Sequence, residues 1–249
     1  MQIDNLTYEV FPTRSEMGKK AAADVSAAIK KALEEKDEIS IIFAAAPSQN
    51  EFLQSLTSDP TIDWTRINAY HMDEYIGLDA DAPQGFGNFL RERIFDKVPF
   101  RSVNLIPNKP SNNDEAIESY TEKLKQTGVD ITCMGIGENG HIAFNDPHVA
   151  DFNDPNMMKI VELDNKCRQQ QVNDGCFKKL EDVPTHAFTL TIPTLMSAKD
   201  IFCMVPAATK AEAVKETIHG DISEKCPATI MRRKPGCHLY LDADSASLL

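Results

Sequence analysis

The sequence predicts an α/β fold, with a mostly parallel central sheet and helices on both of its faces. Two observations carry this. Short continuous apolar runs recur along the chain, residues 39–46 being the clearest, and such runs are the pattern of strands buried on both faces. Between them lie longer segments whose apolar residues repeat at helical spacing. Alternation of this kind is satisfied by right-handed crossovers that cover both faces of one sheet.

Taken in order, residues 15–36 place Met17, Ala22, Val25, Ile29 and Leu33 on one helical stripe, with Ser15 as the cap. Residues 39–46 form the first strand. Ser48-Gln49-Asn50-Glu51 then reads as a capping box, opening a helix through Phe52, Leu53 and Leu56. A strand follows at 66–71, a helix at 88–95, a short strand at 103–106 and a helix at 114–126. Further strands are expected at 129–135, 159–163, 187–192, 201–205 and 238–241, with helices at 165–174 and 209–219. No internal repeat, low-complexity tract or linker interrupts the pattern, so residues 1–249 read as a single domain.

A chain of 249 residues can bury a large core without staples. Its net charge of −12 argues against a nucleic-acid partner, which calls for a basic face, and Arg232-Arg233-Lys234 is too small a cluster to reverse that. The six cysteines form no Cys-x-x-Cys pair, and several sit in apolar runs where a free thiol acts as a small hydrophobe. The opening MQIDNLTYEVF has no basic start and apolar run, so no secretory signal and no disulfide framework are expected. No apolar run approaches a membrane span. A cytoplasmic protein without membrane or nucleic-acid partner is the expectation.

In open α/β sheets ligands bind outside the carboxyl ends of the strands. That rule brings together the segments 46–49, 71–75 and 135–147. At Ser48 a strand-to-helix turn offers backbone N–H groups that suit a phosphate, or Ser48 simply caps its helix. The turn lacks the glycines of a nucleotide-binding fingerprint. Asp73 and Glu74 are either a solvated turn or acids desolvated enough to serve as a base, with Asp73 the better candidate. In MGIGENGHIAFNDP, Gly135, Gly137 and Gly140 let the backbone turn tightly and bring His141 to a ligand, where Asn139 and Asp146 can fix its tautomer. Lys210 is either a surface lysine or a phosphate counter-charge. Neither His-Glu-x-x-His, clustered Cys and His, nor a calcium loop is present, so no metal is expected. Without a Gly-x-Ser-x-Gly elbow, what remains is cofactor-free acid–base chemistry on a small phosphorylated ligand.

The stretches HMDEYIG (71–77) and GIGENGHIAFNDP (135–147) resemble the glucosamine-6-phosphate deaminase/isomerase family. The likeness extends in order and spacing over nearly the whole chain, through 163–168, Thr209-Lys210-Ala211 and Cys226-Pro227-Ala228-Thr229. The related 6-phosphogluconolactonases share the glycine-rich loop but follow its histidine with Thr-Ala-Ser, where this chain has Ile142-Ala143-Phe144-Asn145. The resemblance implies a Rossmann-like three-layer sandwich and the conversion of glucosamine 6-phosphate and water to fructose 6-phosphate and ammonia. It implies that His141 assists ring opening, that Asp73 moves a proton from C2 to C1, and that Asn139 and Asp146 support the histidine. It further implies a substrate- and phosphate-binding set of Ser48, Gln49, Gly137, Lys210 and Arg168.

Several residues depart from the family pattern. Asn139 stands where Gly-x-Asp-Gly-His has Asp, and Asp146 is one methylene shorter than the usual Glu. Ala45-Ala46-Pro47-Ser48 replaces a Thr-Gly-Gly-Thr turn, and Pro47 removes an N–H donor. Gln169-Gln170-Gln171 and Asn173 occupy the region of a second phosphate arginine, which leaves Arg168 or Arg232 to substitute. No regulatory site is recognisable. These changes point to a subfamily with an altered substrate, another sugar phosphate such as galactosamine 6-phosphate being the alternative. A non-catalytic sugar-phosphate sensor is disfavoured by the presence of both Asp73 and His141. Family members range from monomers to hexamers, and a homo-oligomer is expected.

Overall fold

The computed structural model describes all residues 1–249. Its central sheet has eight strands: β1 (Gln2–Ile3), β2 (Leu6–Phe11), β3 (Ile39–Phe43), β4 (Ile67–His71), β6 (Ser102–Asn104), β7 (Ile131–Met134), β10 (Asp200–Val205) and β11 (Cys237–Asp242). They lie side by side in the order β1-β2-β11-β10-β7-β3-β4-β6. Every pairing is parallel except that of β1 with β2.

All five residues of β3 are buried because both faces of the sheet are covered. Ile41 and Phe43 enter a core shared with α1 (Arg14–Glu35) and α2 (Asn50–Thr57), through Met17, Val25, Ile29, Phe52 and Leu56. Ile42 enters the opposite core with α4 (Asn113–Thr127), α6 (Ile192–Met196) and α7 (Ala211–His219), through Tyr120, Leu124, Leu195, Val214 and Ile218. No helix is long and apolar enough to cross a membrane.

Two of the expected strands lie outside the central sheet. The strands anticipated at 159–163 and 187–192 are β8 (Met158–Glu162) and β9 (His186–Leu190), and they leave the central sheet to pair antiparallel with β5 (Asp73–Tyr75). Beyond the buried Met158 at its start, β8 has Ile160 and Glu162 exposed on one face and Val161 buried on the other, as a strand with one solvated face requires. Residues 71–75 are therefore the end of β4 followed by a strand, rather than a loop.

Three helix starts also differ from expectation. Thr13, not Ser15, caps α1: its hydroxyl accepts from Glu16 N and donates to Glu16 Oε2. The capping box expected at Ser48–Glu51 does not form. Pro47 starts a 3₁₀ turn over Pro47–Gln49 that precedes α2, and the Glu51 carboxylate is taken by Arg14. The helix expected at 88–95 begins earlier, as α3 (Phe86–Leu90), and widens into a π turn over Arg91–Phe95.

Candidate active site

A cavity of about 410 Å³ opens at the carboxyl ends of β3, β4, β7 and β10, lined by the segments that leave those strands. This is where a parallel sheet places a ligand. All three segments singled out from the sequence contribute to it.

Asp73 faces the cavity from the first position of β5, only 6% exposed. Burial, with the Glu74 charge added, holds its carboxyl well above the usual carboxylate range. Glu74 points elsewhere. Its oxygens accept from the backbone N–H groups of Tyr75, Phe86 and Gly87, so it fastens the start of α3 to β5. Burial raises the Glu74 carboxyl to about 7 against the pull of those three donors. His71 lies beneath the site as a neutral core residue, accepting from Ile106 N and pushed down by burial to about 3.

The raised Glu74 value carries a stability prediction. An unfolded chain releases that proton near the ordinary glutamate value of 4.5, whereas the fold keeps it to about 7. Folding therefore loses stability as pH rises from about 4.5 to about 7, by on the order of 3 kcal/mol from this group, and is level above. Glu74→Gln, with one acceptor oxygen, is expected to be weaker at pH 5 but to lose that share of the slope. Thermal melts at pH 5 and pH 8 read the difference, and equal slopes in both proteins would refute it.

The glycine-rich loop is shaped around His141. A Cβ at Gly137 would overlap the imidazole, and Gly140 takes φ +79° with Cys226 where its Cβ would stand. Gly137 N also donates to His141 O. Asn145 locks the far side, its Nδ2 donating to Ile142 O and Leu190 O, while Phe144 packs on Tyr75 and Phe86. The loop is thereby tied to the same sheet that carries Asp73.

His141 Nδ1 lies 2.9 Å from Asp146 Oδ1, so the shorter carboxylate does reach the ring. The contact is close but out of line, since Nδ1 has no aligned acceptor. Asn139 Nδ2 donates to the same Oδ1 at 2.9 Å, and Asn139 Oδ1 accepts from His141 N. The amide thus orients the histidine through its backbone and its partner, not through the ring. Burial alone would raise the Asp146 carboxyl, but His141, Asn139 and the Cys167 thiol together draw it below its ordinary value. With Nδ1 turned to Asp146, Nε2 is the nitrogen left for the cavity.

At the other end, Ser48 lines the cavity and its hydroxyl accepts from Gln49 Nε2. Gln49 itself does not line it. Fully buried, it supports Ser48 and leans on Met134 O and Met204 O, which corrects its expected contact with substrate. Lys210 is buried at the wall, its ammonium destabilised by burial and partly restored by Asp174 and Glu138. Arg168 is corrected too: it turns away and donates to Leu180 O and Val183 O, pinning the segment after α5 (Asn165–Asn173). Arg232 is held by Asp4 and Gly220 O, outside the cavity. The arginine that does line it is Arg14, gripping Glu51 and Pro47 O from the first turn of α1. Gln170, Gln171 and Asp174 complete this wall.

The model of the glucosamine-6-phosphate isomerases/6-phosphogluconolactonases matches residues 12–239. The chain belongs to that family. A glucosamine-6-phosphate deaminase of Bacillus cereus is 39% identical over 187 residues, which are 75% of this family member and 70% of the relative. A solved monomeric glucosamine-6-phosphate deaminase superposes with TM-score 0.88 at 26% identity, over 98% of this chain and 100% of its own. The 6-phosphogluconolactonase of Thermotoga maritima shares the fold, with TM-score 0.77 at 17% identity over 95% and 99%.

One constellation in this family member escaped the sequence reading altogether. The ligating atoms of His141, Asp146 and Cys167 lie within 4.8 Å of one another, all three residues buried. Spacing-based metal patterns do not register it, because Cys167 comes from α5, on a separate segment.

Proposed function

We propose that the protein, acting as a single domain, is a deaminating aldose–ketose isomerase that converts glucosamine 6-phosphate, or a close hexosamine phosphate, and water to fructose 6-phosphate and ammonia. The observation that carries this reading is Asp73, a buried acid with a raised pKa, opening onto one cavity with the His141–Asp146 pair.

The sugar enters with its phosphate towards Ser48, Lys210 and Arg14. His141 Nε2 takes the proton of the C1 hydroxyl and returns it to the ring oxygen, which opens the ring. The imidazolium formed in passing is stabilised by Asp146. Asp73 then removes the C2 proton. Its high pKa makes it a stronger base than an exposed carboxylate, and the substrate's C2 ammonium favours its ionised form when bound. A proton of the C2 ammonium passes to O1 to give the enolamine, which takes the C2 proton back from Asp73 at C1. Water adds to the resulting C2 imine, and ammonia leaves.

Lys210→Met is expected to raise KM by roughly 10- to 100-fold with a smaller effect on kcat, since a charged hydrogen bond is worth about 1.5–3 kcal/mol. Initial rates against substrate concentration test this, and an unchanged KM would remove Lys210 from the phosphate. Galactosamine 6-phosphate is the second reading of the substrate, with Gln170, Gln171 and Asp174 on the cavity wall as hydrogen-bonding groups for sugar hydroxyls. The deciding assay incubates purified protein with each sugar and measures ammonia and ketose phosphate together. Equal amounts of both products are expected. A ketose without ammonia, or no product, would sink the deaminase reading.

The proposed setting is cytoplasmic and the proposed assembly a homo-oligomer. A single monomer-sized boundary in sedimentation velocity would replace the latter with a monomer, as in the monomeric deaminase it resembles.

A further inference from the structure

Beside the His141–Asp146 pair lies a third donor, the Cys167 thiol, that the proposed reaction does not use. Cys167, 1% exposed on α5, brings its sulfur to the His141–Asp146 pair. Two atoms of the group are buried without a hydrogen-bond partner, His141 Nδ1 and Asp146 Oδ2. Nδ1 meets only Asp146 Oδ1, out of line at 2.9 Å, and a buried carboxylate oxygen without an aligned donor is costly and uncommon, so Oδ2 calls for a physical reason. Asn139 meanwhile holds Asp146 Oδ1, fixing the carboxylate as an outer-shell donor fixes a metal ligand.

Imidazole nitrogen, carboxylate oxygen and thiolate sulfur together suit a borderline-soft ion such as Zn²⁺, whereas Mg²⁺ and Ca²⁺ require oxygen ligands. Three protein donors leave a fourth position open. The adjoining cavity, which His141 lines, gives the ion a way in.

We infer that His141, Asp146 and Cys167 form an inhibitory site for a thiophilic divalent cation, with Zn²⁺ as the type. Binding forms a metal–sulfur bond as the thiol proton passes to solvent, with no change of oxidation state. The cation occupies Nδ1, the atom that must keep its proton when His141 becomes imidazolium, so the loaded protein cannot open the sugar ring. The inhibition rests on the function proposed above; the binding does not.

The two are separated by adding Co²⁺ to the metal-free full chain and recording thiolate-to-cobalt absorption, then assaying deamination against Zn²⁺. Wild type is expected to show the thiolate band at one equivalent. Cys167→Ser should lose it, and Cys176→Ser, which changes the other thiol near the cavity, should keep it. Asp146→Asn should also weaken the band, which covers the case of a Cys167→Ser protein that fails to fold. Cys167→Ser is expected to keep basal activity and to need at least about tenfold more Zn²⁺ for the same inhibition, with a chelator restoring wild type. No thiolate band in wild type, or one that persists in Cys167→Ser, would overturn the site. A band lost as expected, with deamination indifferent to Zn²⁺, would overturn the inhibition.

Discussion

Asp73→Asn is expected to lower kcat for deamination by about 10²–10⁴-fold, the contribution of a positioned base, with KM little changed. The amide is nearly the same shape, so the cavity wall and the pairing of Asp73 with Thr189 across the small sheet persist. What disappears is the ability to accept the C2 proton. The variant should still bind substrate and open the ring, yet exchange no C2 hydrogen with deuterated solvent. Its melting temperature should not fall, because a buried group whose ionised form is unfavourable has become permanently neutral. Residual activity within tenfold of wild type would move the base elsewhere in the cavity. The wild-type kcat/KM should itself fall towards acid pH as Asp73 in the free enzyme takes up its proton. That limb lies above the usual carboxylate range because burial raises the group.

The sequence made the central sheet legible because β3, β7 and β10 are buried on both faces and write continuous apolar runs. The small antiparallel sheet was not legible as a sheet. β5 is only Asp-Glu-Tyr, and its pairing is set by which strands lie beside it in space. Local signals also came in look-alike pairs. Thr13–Glu16 and Ser48–Glu51 both fit a cap, and only the fold shows that Arg14 has taken Glu51. The same packing explains the cations. Arg14 reaches the cavity because the start of α1 lies over the Pro47 turn, and nothing near Arg14 in sequence says so. Arg168 sits on the expected helix, but the carbonyls of Leu180 and Val183 draw it the other way. Asp73 and His141 were legible as candidates because strand ends and glycine-rich turns have a fixed place in a parallel sheet. Cys167 was not, since it meets His141 and Asp146 only through tertiary packing.

His141→Gln is the second large expected effect, a loss of about 10²–10⁴-fold in kcat on the cyclic sugar phosphate. The glutamine can donate or accept near the ring oxygen but cannot carry a proton from one oxygen to the other. Asp73 is intact in this variant, so C2 exchange should survive on whatever open-chain sugar forms unaided in solution. Under conditions where unaided opening limits the rate, turnover should become independent of enzyme concentration, which wild type never shows. The companion variant Asp146→Asn isolates the charge. Its amide can still occupy the space beside Nδ1, yet it offers the imidazolium formed in passing no counter-ion, so the loss should be smaller than for His141→Gln. Adding Asp146→Asn to His141→Gln should then cost little more, because the carboxylate acts only through the histidine it touches at 2.9 Å. Strictly multiplicative losses in the double variant would mean that Asp146 has a role of its own. The His141 ring would then open the sugar without drawing on the carboxylate beside it.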